Sequence, residues 1–216
     1  MNMKQTYAVF GLGRYGRAVA KELVENGAEV LAVDIDDNLV NDAIGDIPYC
    51  KCADITDEEV IKQLGIANVD VVIIAMATNL EASVMAAMLC KEAGVKTVIA
   101  KCSSEMNCKI LSKVGVDKVV FPESESGIRL AKNLLSDGFI DIVELSKDVS
   151  MIELDVRPEW EGKNLIELDL RRKYSINVVA IVQESQVSVN VAPEKPLERG
   201  MKLIVIANVS KLSKLK

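Results

Sequence analysis

The chain has 216 residues, a formal net charge of −6 and no histidine. Half of it is hydrophobic and 27% is charged, a balance that excludes intrinsic disorder and allows one sizeable core with a second small one. The missing histidine removes the commonest general base, the commonest zinc ligand and every Ser-His or Cys-His pair, which argues against hydrolytic chemistry.

Six short strands are predicted in the first half: Tyr7 to Phe10, Glu29 to Val33, Pro48 to Lys51, Val69 to Ala75, Thr97 to Lys101 and Lys118 to Phe121. Between them apolar residues recur at helical spacing. Val19, Leu23 and Val24 precede Gly27, and Val84, Met88 and Leu89 precede Gly94, with glycine suited to end each helix. This alternation is the pattern of βαβ units in an α/β fold with a parallel sheet. The run VDVVIIAMA, apolar at nearly every position, fits a central strand covered on both faces. Ser124 to Leu135 reads as a further helix, closed by the turn chemistry of Ser-Asp-Gly-Phe. Beyond it the order is strand (MIELDV), helix (NLIELDLRRKY) and strands (NVVAIVQE, QVSVNVA, MKLIVIANV), a small α+β unit. Residues 1–135, with the helix that crosses over, therefore form one domain and residues 136–216 the other.

Gly11-Leu-Gly13-Arg14-Tyr15-Gly16 directly follows the first strand and opens the first helix, the context that G-x-G-x-x-G requires. Gly11 permits the tight turn, Gly13 lets a pyrophosphate approach the backbone, and Gly16 lets the helix pack on the strand. The helix N-terminus then faces the phosphates. The second strand ends in Asp34, placed to accept hydrogen bonds from ribose hydroxyls and to repel a 2′-phosphate. Ligands of open α/β sheets sit at the carboxyl ends of the strands, so Asp54, Ala75 to Asn79 and Lys101 to Ser103 are expected around the same crevice. Asp54 is a candidate for the adenine amino group or for a helix cap, a place that Thr56 or Asp57 fills as well. Arg14 and Lys101 are candidates to neutralise phosphates.

No segment is long enough to span a bilayer: the longest apolar run, Val71 to Ala77, is far below the roughly 20 residues needed. The opening MNMKQTYAVF has no apolar signal region, so a cytoplasmic location is expected. Neither half is basic, and nucleic acid is excluded as a partner on charge. The five cysteines, Cys50, Cys52, Cys90, Cys102 and Cys108, are odd in number and lack Cys-x-x-Cys spacing; they are expected as reduced thiols of the core.

GLGRYG, AVDID, ADITDEEVIKQLGI and DKVVFPESESG, together with IELDLRRKYSINVVAI and the late LIVIA, resemble the regulator-of-potassium-conductance (RCK) family over nearly the whole chain. The likeness is to the Trk/Ktr cytosolic subunits of potassium uptake systems. It implies a Rossmann-like doubly wound sheet that binds ATP, ADP or NAD(H), joined to a smaller C-terminal domain. It further implies a non-enzymatic regulator, assembled as homodimers and octameric rings beneath a membrane channel or transporter subunit. Carried over by motif, nucleotide contacts fall on Gly11, Gly13, Arg14, Gly16, Asp34, Ile35, Asp36, Asp54, Ile55, Met76, Ala77, Thr78, Lys101, Cys102, Ser103 and Asn107. Arg14 would reach the terminal phosphates, and Glu123, of the Pro-Glu pair, would help hold a Mg, Ca or Na ion there. Two positions depart from the family pattern. Asp36 stands where several relatives carry Asn, and Arg172 replaces a smaller residue of relatives that bind cyclic di-AMP, which weighs against that ligand. The competing readings are an NAD-dependent dehydrogenase and a redox-sensing Rossmann protein; a dehydrogenase needs a proton donor over the nicotinamide, which the short strand-rich second half supplies poorly.

Overall fold

The computed structural model describes residues 5–135, 139–146, 149–184 and 186–208. Its first half is a six-stranded parallel sheet in the order β3-β2-β1-β4-β5-β6. The strands are β1 Thr6–Phe10, β2 Glu29–Asp34, β3 Tyr49–Cys52, β4 Val71–Ile74, β5 Thr97–Lys101 and β6 Lys118–Val120. Helices α1 Arg14–Glu25, α2 Asp37–Ala43, α3 Glu58–Gln63, α4 Leu80–Glu92 and α5 Glu105–Val114 connect them. The Rossmann-like architecture expected from the sequence is thus present, and β5 has the bounds its pattern predicts.

Alternation along each strand supplies two cores. Phe10, Val33, Val72 and Ile74 join one apolar cluster, while their neighbours Val9, Ala32, Val71 and Ile73 join another. Successive side chains of a strand point to opposite faces, so both faces must be covered by helices, as a doubly wound sheet requires. The chain order runs outward from β1 to β3, returns across β1 to β4, and continues outward to β6. The carboxyl ends of β1 and β4 therefore flank the point where the connections diverge, the natural place for a crevice. At the opposite, amino-terminal ends of the strands Asp70 ties β1, β4 and β5 together: it accepts from the Thr6 amide at 3.0 Å and pairs with Lys96 at 2.7 Å.

Helix α6, Pro122–Leu135, follows β6. The chain divides into two compact units, Met1–Ser124 and Glu125–Lys216, so the division falls within the first turn of α6. The second unit is an antiparallel five-stranded sheet in the order β10-β9-β11-β8-β7, comprising β7 Phe139–Glu144, β8 Val149–Asp155, β9 Ile176–Gln183, β10 Gln186–Ser188 and β11 Lys202–Asn208. Ile152, Trp160, Leu168, Leu203 and Val205 are at its core. The sequence pattern does not predict β7, which pairs with β8 across a register shift. The single helix predicted for NLIELDLRRKY is two short ones, α7 Leu165–Leu168 and α8 Leu170–Tyr174, because Asp169 between them is left-handed with φ 46°.

The expectation of reduced cysteines fails for one pair: Cys102 and Cys108 are joined by a disulfide, with Cα atoms 5.3 Å apart. Cys102 immediately follows β5 and Cys108 lies in the first turns of α5, so the strand-to-helix turn brings together two residues whose spacing is not Cys-x-x-Cys. Cys50, Cys52 and Cys90 are free thiols.

Candidate functional site

A cavity of about 930 Å³ opens at the carboxyl ends of β1, β2, β4 and β5. The glycine motif forms its floor. Gly11 has φ +94°, a conformation that favours glycine, and a Cβ there would stand 2.7 Å from Met76 Cγ. A Cβ on Gly16 would overlap the carbonyl oxygen of Gly11 and lie 3.0 Å from Ala75 Cβ. Gly13 faces open space, with nothing within 4 Å of the position of a Cβ. The three glycines therefore divide the tasks of turning, exposing the backbone and packing.

Asp34 secures this loop. Its Oδ2 accepts from the Leu12 amide at 2.5 Å and its Oδ1 from the Asp36 amide at 2.9 Å. Gly11 N–H adds a bond to the Val33 carbonyl at 2.8 Å. Each carboxylate oxygen keeps a lone pair for another donor.

The helix starts of this unit differ in one respect. Asp36, Asp57, Asn79 and Ser104 cap α2, α3, α4 and α5 with side-chain oxygens, and each of those helices carries an acid in its first turn. Helix α1 begins at Gly13 with neither. Its first-turn N–H groups and the positive end of its dipole are consequently left for an anion or water in the cavity.

The cationic end of the cavity is built around Lys101, whose side chain is only 13% exposed. Its Nζ lies 2.6 Å from Glu123 Oε1 and 5.2 Å from the centre of the Tyr15 ring. The Lys101 hydrogen bond, aided by the helix backbone and the charge of Arg14, holds the Glu123 carboxyl below the usual carboxylate range. Asp54 is likewise lowered, first by the Thr56 hydroxyl at 2.7 Å and then by the Thr56 amide at 2.9 Å. It thus closes its own turn, and Asp57 caps α3.

Of the residues picked out from sequence, Gly11, Gly13, Arg14, Asp34, Ile35, Asp54, Ile55, Met76, Ala77, Thr78, Lys101 and Glu123 line the cavity. Gly16 sits beneath it as a packing position, and Asp36 is turned to the Asn38 amide as the cap of α2. Cys102 is 1% exposed and engaged with Cys108. Ser103 and Asn107 bond to each other at 3.0 Å outside the lining. The sequence reading missed Tyr15, Ala18, Val33, Leu39, Thr56 and Ala82 among the lining residues. Tyr15 and Ala18 follow Arg14 within the first turns of α1, so the helical period continued from the glycine motif identifies them.

Comparison with known proteins agrees with this architecture. The TrkA-N domain matches residues 7–122 and the TrkA-C domain residues 149–216. The chain is 39% identical over 212 residues to the Ktr system potassium uptake protein C of Bacillus subtilis, covering 98% of this chain and 96% of that one. It is 35% identical over 207 residues to the Ktr system potassium uptake protein A of Vibrio alginolyticus, covering 96% and 94%. Among solved structures the GsuK channel superposes with a TM-score of 0.69 at 15% identity, over 99% of this chain and 39% of that one. The GsuK channel bound to NAD superposes at 0.55 and 22%, over 98% and 38%. These two likenesses concern the fold. Two domain matches in order, and relatives similar along nearly their full length, identify the lineage: the chain belongs to the TrkA-N/TrkA-C family, the RCK-type chains that include the Ktr system potassium uptake proteins.

Proposed function

We propose that this chain is the regulatory, non-enzymatic subunit of a Ktr-type potassium uptake system and that it reads an adenine nucleotide, ATP, ADP or NAD(H), in the cavity at the head of β1. The observation that carries the nucleotide reading is the uncapped, acid-free start of α1 beside the open backbone of Gly13. Together they form an anion-binding loop of the kind that takes a pyrophosphate. Asp34 is the acceptor for ribose hydroxyls, Ile35 and Ile55 flank the adenine, and Arg14 and Lys101 meet the phosphates. The potassium reading follows the near-full-length similarity to the Ktr proteins.

Glu123 has a narrower role in this scheme. Among the described residues no group of three or more His, Cys, Asp or Glu side chains could hold a metal ion, so Glu123 is at most one ligand of a cation whose other ligands are phosphate oxygens and water. Hard cations such as Mg accept that arrangement. The exposed Ile128, Leu130 and Leu134 of α6, at 54%, 60% and 75%, support assembly into homodimers and, through them, an octameric ring. No described helix is long and apolar enough to cross a membrane. The chain would act at the inner face of the membrane through its channel or transporter partner.

The test is a thermal shift with ATP, ADP and NADH, followed by potassium flux with the partner in liposomes. A ligand at a hundred times its Kd adds about 2.7 kcal/mol, roughly 5–10 °C for a chain of this size. No shift with any of the three refutes the nucleotide reading, and flux that ignores a nucleotide that binds refutes the regulatory one.

A further inference from the structure

The Cys102–Cys108 pair begins one residue after Lys101, which lines the proposed phosphate end of the cavity. Cys102 directly follows Lys101, and its amide donates to the Val120 carbonyl at 2.9 Å, three residues before Glu123. Both members of the 2.6 Å Lys101–Glu123 pair are thus attached by short stretches of chain to the backbone on which Cys102 sits. The Cα separation of 5.3 Å is within the ordinary disulfide range.

The turn has a second set of ties. Ser104 Oγ accepts from the Asn107 amide at 3.1 Å and Ser103 Oγ from Asn107 Nδ2 at 3.0 Å. When the sulfur bond opens, these hydrogen bonds still close the turn, so the change is local. Access is unequal: Cys102 is 1% exposed, whereas Cys108 is half-buried. Elsewhere burial pushes the Cys90 thiol up to about 12, leaving it unreactive.

We propose that Cys102 and Cys108 form a reversible dithiol–disulfide site whose state sets how firmly Lys101 is presented to the cavity. The site stands on its own geometry; its effect on ligand affinity rests on the function proposed above. The oxidant is a low-molecular-weight disulfide of the glutathione type. The Cys108 thiol, after losing its proton, attacks one sulfur of that disulfide and expels one small thiolate, giving a mixed disulfide. The Cys102 thiol then loses its proton and attacks Cys108 Sγ, expelling the second. Two protein thiols are oxidised to one disulfide and one small disulfide is reduced to two thiols, so atoms and electrons balance. A small dithiol reverses the sequence.

The experiment treats the full chain with oxidised glutathione or with dithiothreitol, alkylates the remaining thiols and maps peptides by mass. Melting temperature and the Kd for ATP and ADP are measured alongside. Oxidation should yield a peptide spanning residues 102–108 that resists alkylation and is lighter by two hydrogens. It should raise the melting temperature by about 5 °C and tighten nucleotide binding at least ~3-fold by pre-organising Lys101. Cys108→Ser and Cys102→Ala should abolish the redox dependence of the melting temperature and of the Kd, and Cys52→Ser should leave both in place. Alkylation of residues 102 and 108 to the same extent under both conditions overturns the site, as does a redox shift that survives Cys108→Ser. Equal Kd in both redox states overturns the link to Lys101. If neither nucleotide binds in either state, the proposed function fails, and the site is then decided by the peptide map and the melting shift.

Discussion

Two substitutions of the same kind, Gly13→Ala and Gly16→Ala, should have opposite consequences. At Gly16 the added methyl falls on the Gly11 carbonyl oxygen and 3.0 Å from Ala75 Cβ. Neither neighbour is the flexible end of a long side chain, so α1 itself must move away from the sheet. A clash this deep with backbone falls in the upper part of the usual overpacking range, about 2–3 kcal/mol, of which the better helix propensity of alanine returns ~1 kcal/mol. The net loss of about 1–2 kcal/mol corresponds to a fall in melting temperature of roughly 2–8 °C. At Gly13 the backbone is extended, φ −60° and ψ −179°, and the methyl meets no atom within 4 Å. The poorer capping and the reduced freedom of the unfolded chain nearly cancel, leaving stability within about 1 kcal/mol of the parent. That methyl occupies the approach of the pyrophosphate, so ATP and ADP affinity should drop by tenfold or more. Circular dichroism melts and titration calorimetry on the two variants separate these effects. A Gly16→Ala protein as stable as the parent refutes the close packing, and a Gly13→Ala protein with undiminished affinity refutes the placement of the phosphates.

The Asp70 carboxyl, held at about 2 by Lys96 and then by the amide and hydroxyl of Thr6, contributes stability that is complete above its unfolded value near ~4 and is lost as the pH falls toward 2. Asp70→Asn should lower the melting temperature at neutral pH and flatten its decline between those limits; a parallel acid profile contradicts the tie. An alkylating reagent should label the exposed Cys52 in the folded protein and reach the buried Cys90 only on unfolding, which mass mapping across a urea series reports. Glu123→Gln should retain nucleotide affinity but lose whatever part of potassium flux depends on a divalent or sodium ion. Equal ion dependence in variant and parent removes the cation role.

The first half of the fold was legible because its signals are local. Val71–Ile74 is buried at every position, and the glycine motif lies between the strand and helix that give it meaning. Spacing rules recovered the residues at strand ends for the same reason, since βα connections place them in one crevice. What escaped depends on contacts between distant or irregular segments. Strand β7 gains its identity from pairing with β8 across a register shift. The break at Asp169 is a backbone reversal inside a sequence with good helical spacing. Cys102 and Cys108 meet because a strand ends and a helix begins between them. Asp36 and Asp54 are a local case: Asp36 caps α2 through the Asn38 amide, and Asp54 bonds to Thr56 while still lining the cavity.

The bonds of Asp34 impose a constraint on how this site can diversify. One carboxylate holds both the Leu12 amide of the glycine loop and the Asp36 amide at the close of β2, and under the function proposed above the same group would discriminate against a phosphorylated ribose. Exchanging it for a basic or apolar side chain to admit such a ligand strips acceptors from two backbone amides at once. Admitting such a ligand by a change at position 34 therefore calls for a replacement acceptor for Leu12, without which the glycine loop is loosened.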